Sequence, residues 1–181
     1  MKLLIASDIH GDLESLELVL SAFKAENCDR ILLLGDLLYH GPRNDLPKTY
    51  NPKAVISLLN ENKNLIMTVK GNCDGEVDQM VLDFPILADY ILLSLDGLTV
   101  FATHGHHHNT QTPPPLLKGD ILLHGHTHLL ACEEFGEGNL YLNPGSAALP
   151  KGGNPKTYMV YENRTFTVKD IDGNVVFVKK I

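Results

Sequence analysis

The sequence predicts an α/β fold, with strands and helices alternating in the amino half and strands dominating the carboxyl half. Three observations carry this. Short apolar runs at Lys2–Ala6, Arg30–Leu34 and Leu65–Val69 read as buried strands. Residues with helical spacing fill the intervals between them, and from Tyr90 onward apolar runs come in pairs separated by turn residues. A length of 181 residues with 44% hydrophobic side chains is enough for a substantial core, so one domain spanning 1–181 is expected. With 20% charged residues, the chain does not have the composition of a disordered one.

The first strand ends at Ser7-Asp8-Ile9-His10-Gly11-Asp12. Asp12 suits a helix N-cap, and Leu13, Leu16, Val19, Leu20 and Phe23 follow at helical spacing. The second strand stops at Gly35-Asp36. A helix is expected from about Pro52 to Glu61, with Ala54, Val55, Leu58 and Leu59 facing the core. The third strand stops at Gly71-Asn72-Cys73-Asp74, and a short acidic helix is expected over Asp74–Met80. This order predicts parallel strands joined by right-handed crossovers. Asp8, His10, Asp36 and Asn72 then gather at the carboxyl rim, where open α/β sheets place their sites.

Tyr90–Leu95 and Leu98–Thr103 form a hairpin about Asp96-Gly97. Its second arm runs into His104-Gly105-His106-His107-His108, and prolines at 113 to 115 mark a covering loop. Ile121–Leu123 runs out into His124-Gly125-His126-Thr127-His128. On an extended segment His126 and His128 point to one face. Leu129–Phe135 and Leu140–Leu142 read as a hairpin, and Asn143-Pro-Gly-Ser146 as a turn able to contact an anion. Thr157–Tyr161, Thr165–Lys169 and Val175–Val178 read as the last strands.

A net charge of −7 argues against a nucleic-acid binder, so no stable nucleic-acid complex is expected. A phosphate-bearing substrate stays open, because bound cations can supply positive charge locally. No apolar run approaches the roughly 18 residues that span a bilayer, and Met1–Ile5 reads as the opening of a strand. No membrane association is expected. Cys28, Cys73 and Cys132 are odd in number and widely spaced, which favours reduced thiols and a cytoplasmic protein.

Asp8, His10, Asp36, Asn72, His104, His126 and His128 each stand just past an apolar strand. Singly, they read as readily as turn caps or a histidine-rich surface loop. Together they are metal-ligating side chains at one rim. Their order resembles that of the calcineurin-like metallophosphoesterases, whose motifs are D-x-H, G-D, G-N-H-D, a G-H or H-G-H element and G-H-x-H. The matches are Asp8-Ile-His10, Gly35-Asp36, Gly71-Asn72-Cys73-Asp74, Thr103-His104-Gly105-His106 and Gly125-His126-Thr127-His128. His40-Gly-Pro-Arg-Asn44, Asn143–Ser146 and Pro150–Pro155 look like the small bacterial YfcE-type branch, and extend the resemblance over nearly the whole chain.

The resemblance implies a two-sheet β-sandwich flanked by helices, a four-layer α/β/β/α fold, with the metal site between the sheets at one rim. It implies that Asp8, His10, Asp36 and His128 hold one metal. Asp36 would bridge to a second held by Asn72, His104 and His126. Oxygen and imidazole donors without a thiolate suit Mn²⁺, Fe or Zn²⁺, and the family branch favours two Mn²⁺ ions. Water between two such ions becomes a hydroxide able to attack phosphorus, so a small phosphodiester is the implied substrate. The alternatives are a phosphomonoesterase of the same fold and a non-catalytic protein-binding scaffold. Degenerate scaffolds break the ligand set, whereas all seven positions here keep liganding side chains. A metallo-β-lactamase-type zinc hydrolase wants an Asp-His pair directly after H-x-H, which this chain lacks.

Cys73 stands where most of the family has the histidine of G-N-H-D, beside Asn72 and Asp36 in the implied catalytic set. A thiol, with a pKa of roughly 8.5, donates weakly, so diesters and good leaving groups are favoured. Cys73 reads equally as a small buried residue. Arg43 matches a phosphate clamp, with His40 and Asn44 on the same loop, or else a loop salt bridge. The resemblance puts His106 near the metals. His107 and His108 are expected in an exposed loop, His124 as an orienting neighbour, and Cys28 and Cys132 as inert thiols. Self-association is open.

Overall fold

The computed structural model describes residues 1–181. In chain order the strands are β1 (Leu3–Ala6), β2 (Arg30–Leu33), β3 (Ile66–Thr68), β4 (Tyr90–Leu95), β5 (Leu98–Thr103) and β6 (Ile121–Leu123). They continue with β7 (Leu130–Phe135), β8 (Asn139–Pro144), β9 (Thr157–Glu162), β10 (Thr165–Asp170) and β11 (Val175–Lys180). The helices are α1 (Leu13–Ala25), α2 (Pro52–Glu61) and α3 (Glu76–Gln79). One sheet has the order β11-β10-β9-β1-β2-β3, the other β4-β5-β6-β8-β7.

Side-chain alternation sets the layers. Leu4, Ala6, Ile31 and Leu33 face Leu16, Val19, Val55 and Leu59, so α1 and α2 cover the outer face of the first sheet. Leu3, Ile5, Leu32 and Leu34 face the other way, onto Val100, Ala102, Ile121, Leu123, Leu140 and Leu142. That second cluster is the apolar seam between the sheets. The outer face of the second sheet buries the small cluster of Phe101, Leu122 and Tyr141, with Leu116, Ala131 and Phe135 packed against it. The two-sheet sandwich flanked by helices is therefore present, as expected. The chain from 104 to 120 covers that face as irregular loop, because its prolines and glycines cannot sustain a helix.

Both sheets contain a parallel trio. β1 pairs with β2 and β2 with β3 in one, β5 with β6 and β6 with β8 in the other. The carboxyl ends of the two trios meet at a common rim. β9 runs antiparallel beside β1 and carries the first sheet into the β9–β10–β11 meander.

Local chemistry explains the element ends. Pro52 opens α2 and the Asn51 side chain accepts from the Ala54 N–H at 3.2 Å. Asp12 occupies the N-cap position of α1 without capping a backbone N–H. Its carboxylate is taken by Ser15, Thr49 and Lys156 instead. The acidic helix is shorter than the expected Asp74–Met80. Asp74 stays out of it because its carboxylate accepts the N–H groups of Asp36, Leu37 and Gly71, at 2.8, 2.8 and 2.7 Å.

Candidate metal centre

Asp8 and His10 follow β1, Asp36 follows β2, Asn72 follows β3, His104 follows β5, and His126 and His128 follow β6. The structure brings all seven to the shared rim. Asp8 Oδ1 lies 3.6 Å from His10 Nε2 and 3.3 Å from His128 Nε2. On the other side, His104 Nε2 lies 3.0 Å from Asn72 Oδ1 and 3.2 Å from His126 Nδ1. Asp36 Oδ2 stands between the groups, 3.6 Å from His10 Nε2 and 3.5 Å from His104 Nε2.

The backbone that achieves this is curled. Asp8, His10, Asp36, His126 and His128 all have positive φ, at 59°, 49°, 57°, 66° and 60°. Such residues persist where their surroundings over-determine them, and they concentrate at functional sites. His126 and His128 are therefore not on an extended segment and do not share a face. The curl aims His126 at His104 and His128 at Asp8 and His10. Two glycines permit the close approach. A Cβ on Gly71 would sit 2.1 Å from Asp36 Oδ1, and one on Gly125 would sit 1.9 Å from Ser7 Oγ.

Hydrogen bonding fixes the rings. His10, His104 and His128 turn Nδ1 to the carbonyls of Tyr39, Leu34 and Leu149, at 2.7, 2.6 and 2.6 Å. A carbonyl only accepts, so each Nδ1 carries a proton and each Nε2 faces the centre, where the neutral form of the ring offers a lone pair to a cation. His10 Nε2 and His128 Nε2 are 3.3 Å apart. Beside them Asp8 Oδ1 is buried without a hydrogen-bond partner. Its other oxygen accepts from Ser7 Oγ at 2.7 Å and the His126 N–H at 3.0 Å. A buried carboxylate oxygen and converging lone pairs with no donor among them fit a cation. The liganding atoms of Asp8, His10 and His128, and those of Asp8, Asp36 and His104, lie within 4.8 Å of one another and could hold a metal ion.

The electrostatics agree. Burial works to raise the Asp8 carboxyl, but the His10 and His128 rings that face it outweigh burial and hold it well below the usual range. Burial likewise opposes charge on His104, yet the hydrogen bond and charge of Asp36 push it up to about 9. The Asp8 and Asp36 carboxylates favour positive charge at His104, whereas burial and the His104 charge lower the imidazole of His126. Burial first, then the Asp36 carboxylate, push the Cys73 thiol up to about 12, so it is a neutral neighbour. Its backbone N–H donates to Asp36 Oδ1 at 2.8 Å.

A polar hollow of about 400 Å³ opens over Asp36, Asn72, His126 and His128, with Arg43, Asn44, Cys73, Thr127 and Lys151 on its walls. His40 does not line it. That ring is held between Tyr39 and Tyr50, at centroid distances of 4.8 and 5.4 Å, while its carbonyl accepts from Asn44 Nδ2 at 2.8 Å. His106 lies beside the centre, its ring 5.3 Å from that of His104. His107 is exposed, whereas His108 packs edge-on against Phe101. His124 stacks on Tyr141 and hydrogen-bonds none of the seven. Burial lowers its imidazole to about 4. Cys28 is buried and Cys132 exposed, both as free thiols.

Asn143 and Ser146 are not free for an anion. The Asn143 amide donates to the Gly125 carbonyl at 2.9 Å and Thr127 Oγ1 at 3.0 Å, and Ser146 Oγ donates to the Asp8 carbonyl at 3.0 Å. They brace the curled segments. Asp74, within the G-N-x-D match, is a positioning residue the sequence reading did not assign. Lys151 is a second cation in the hollow that it left without a role, and its N–H donates to the His128 carbonyl at 3.0 Å.

Residues 1–165 match the family model of the calcineurin-like phosphoesterase superfamily domain. The chain is 46% identical over 168 residues to the phosphodiesterase YfcE of Escherichia coli (strain K12), covering 93% of this chain and 91% of that protein. A solved structure of YfcE, a phosphoesterase from E. coli, superposes with a TM-score of 0.96 at 43% identity, covering 100% of both chains. The phosphodiesterase MJ0936 of Methanocaldococcus jannaschii is 29% identical over 153 residues, covering 80% of this chain and 83% of that protein.

Proposed function

Because the chain belongs to the calcineurin-like phosphoesterase superfamily, we propose that it is a dinuclear, divalent-metal-dependent phosphodiesterase. The observation that carries this reading is the placement of Asp36 Oδ2 between the Asp8–His10–His128 group and the Asn72–His104–His126 group. Asp8, His10, Asp36 and His128 would hold one ion, and Asp36, Asn72, His104 and His126 the other. Oxygen and nitrogen donors in this mixture suit Mn²⁺, with Fe and Zn²⁺ as the other members of the class. Two such ions, when bound, supply a hydroxide nucleophile at neutral pH and offset charge on the phosphoryl oxygens.

The protein's own groups orient and exclude. Arg43, Asn44 and Lys151 stand on the walls of the polar hollow, where they can fix a phosphate's free oxygens against the centre. Burial of Asp8, His10 and His104 keeps bulk water off the liganding atoms. Cys73, neutral at physiological pH, gives no ready proton to a departing alkoxide. That favours diesters with alcohols that leave easily, in keeping with the name of the E. coli relative. Three free thiols support action in a reducing compartment, the cytoplasm, and no helix is long and apolar enough to cross a membrane.

The test is hydrolysis of paired aryl phosphodiester and phosphomonoester substrates across several divalent ions. Diester turnover above monoester turnover, lost in Asp36→Ala and His126→Ala, is expected. Equal or greater monoester activity would overturn the preference, and activity surviving both substitutions would overturn the site.

A further inference from the structure

Beside the polar hollow lies a second one of about 630 Å³ that shares Asn72 and Cys73 with it. Its character is the opposite. Of the residues lining the first, 1 of 11 is hydrophobic, while 7 of 13 are in the second, so the two offer different solvents to a ligand. Tyr39 and Tyr50, with the His40 ring packed edge-on between them, make one wall. Ile56 of α2, Val77 of α3 and Val81 make the others.

Several of these side chains meet water. Val77 is 74% exposed, and Tyr39 and Val81 are 42% exposed each. Scattered apolar residues on a surface need no explanation, but a contiguous set at the mouth of a polar site marks a place that binds something. Glu76 and Asp78 line the hollow and no lysine or arginine does, so an anionic occupant is disfavoured.

We propose that this hollow receives one ester arm of the substrate, and that the arm is an uncharged aromatic or branched apolar alcohol. The inference rests on the phosphodiesterase reading above and names its substrate class. Continuity is the reason for choosing the substrate as occupant. A phosphoryl group seated at the Asn72–Cys73 edge beside Asp36 touches both hollows, and a diester has two arms to distribute between them. The short Cys73 side chain at this junction occupies less of the shared edge than an imidazole does.

The test is a set of phosphonates used as inhibitors of Mn²⁺-supported bis(4-nitrophenyl) phosphate hydrolysis. A phosphonate has a single arm, which settles in whichever subsite suits it. Phenylphosphonate should inhibit about tenfold more tightly than methylphosphonate, the gain from burying much of a phenyl ring. 4-Carboxyphenylphosphonate should lose that advantage. Val77→Asp and Val81→Ser should each erase most of the phenyl preference while leaving the methylphosphonate constant unchanged, and Val77→Leu should keep it.

Equal inhibition by the methyl and phenyl compounds in the wild type would overturn the inference. So would a phenyl preference that survives both Val77→Asp and Val81→Ser. Diester turnover with a flat phosphonate series removes this inference alone. Absence of diester turnover with every divalent ion removes the phosphodiesterase reading, and this inference with it.

Discussion

His10 and His128, 118 positions apart in the chain, bring their Nε2 atoms to 3.3 Å while each donates its Nδ1–H to a backbone carbonyl. Two lone pairs at that separation repel unless positive charge lies between them, and the unpartnered Asp8 Oδ1 faces both. A divalent cation bound here would relieve all three atoms at once. Adding Mn²⁺ at a hundredfold excess over its dissociation constant should stabilise the fold by about 2.7 kcal/mol. For a chain of this size that is a rise in Tm of about 5–10 °C. Scanning calorimetry checks it, and His128→Ala should lose most of the rise. A wild-type protein indifferent to every divalent ion would contradict the reading.

Cys73 should behave as a poor acid. Burial, reinforced by the Asp36 charge, pushes its thiol up to about 12, far from the range in which a group transfers protons at neutral pH. Cys73→Ser should therefore leave turnover of a 4-nitrophenyl diester almost unchanged. Cys73→His should raise turnover of substrates with alkyl leaving groups by about 10²-fold, the lower range of general acid catalysis. The ratio of alkyl to aryl substrate kcat in the two variants is the measurement. A histidine variant with the same ratio as the serine variant would show that nothing at this position protonates the leaving group.

Arg43 and Lys151 approach the polar hollow from different loops, and neither touches the liganding atoms. Each charge-assisted hydrogen bond to phosphate is worth about 1.5–3 kcal/mol, so Arg43→Ala should weaken kcat/KM roughly 10- to 100-fold. Metal content should stay at the wild-type level. Lys151→Ala should act in the same direction but less, because a point charge lacks the planar fork. Metal loss in either variant would mean the effect runs through the centre.

Asp12 ties the start of α1 to Lys156 near the carboxyl meander. Burial opposes its charge, but hydrogen bonds from Ser15, Thr49 and Lys156 hold the carboxyl below its ordinary range. A depressed folded-state pKa stabilises fully above the unfolded value, about 4, and that contribution disappears as pH falls through the lower folded value. The Tm gap between wild type and Asp12→Asn should hold steady from neutral pH down to about 5 and narrow below about 4. A gap independent of pH would show that shape, not charge, sets the role of Asp12.

Much of this was legible in the residues. β1, β2 and β6 are apolar runs ending abruptly in Gly, Asp or His, and the Asp96-Gly97 turn carries the positive φ values of 51° and 79° that its hairpin requires. What period-2 and period-3.6 patterns cannot encode is the neighbour across space. The insertion of β9 beside β1 is a pairing over more than 150 positions. The curl of His126-Thr-His128 comes from contacts that no local propensity carries. Asn143 and Ser146 are polar in the same way as a ligand-binding turn, and only their buried partners show them to be braces. His40 shares a loop with Arg43 and Asn44, yet its ring packs into an aromatic wall between Tyr39 and Tyr50. Residues 104–120 cover the second sheet as loop, a placement that the proline run marks only as a break in regular structure.

The most direct test is anomalous diffraction at the manganese edge from crystals grown with Mn²⁺. Two peaks are expected, one bounded by Asp8, His10 and His128 and the other by Asn72, His104 and His126, each within coordinating distance of the Asp36 carboxylate. No peak at this rim, or a lone peak beyond the reach of Asp36, would contradict the convergence on which the proposed chemistry rests.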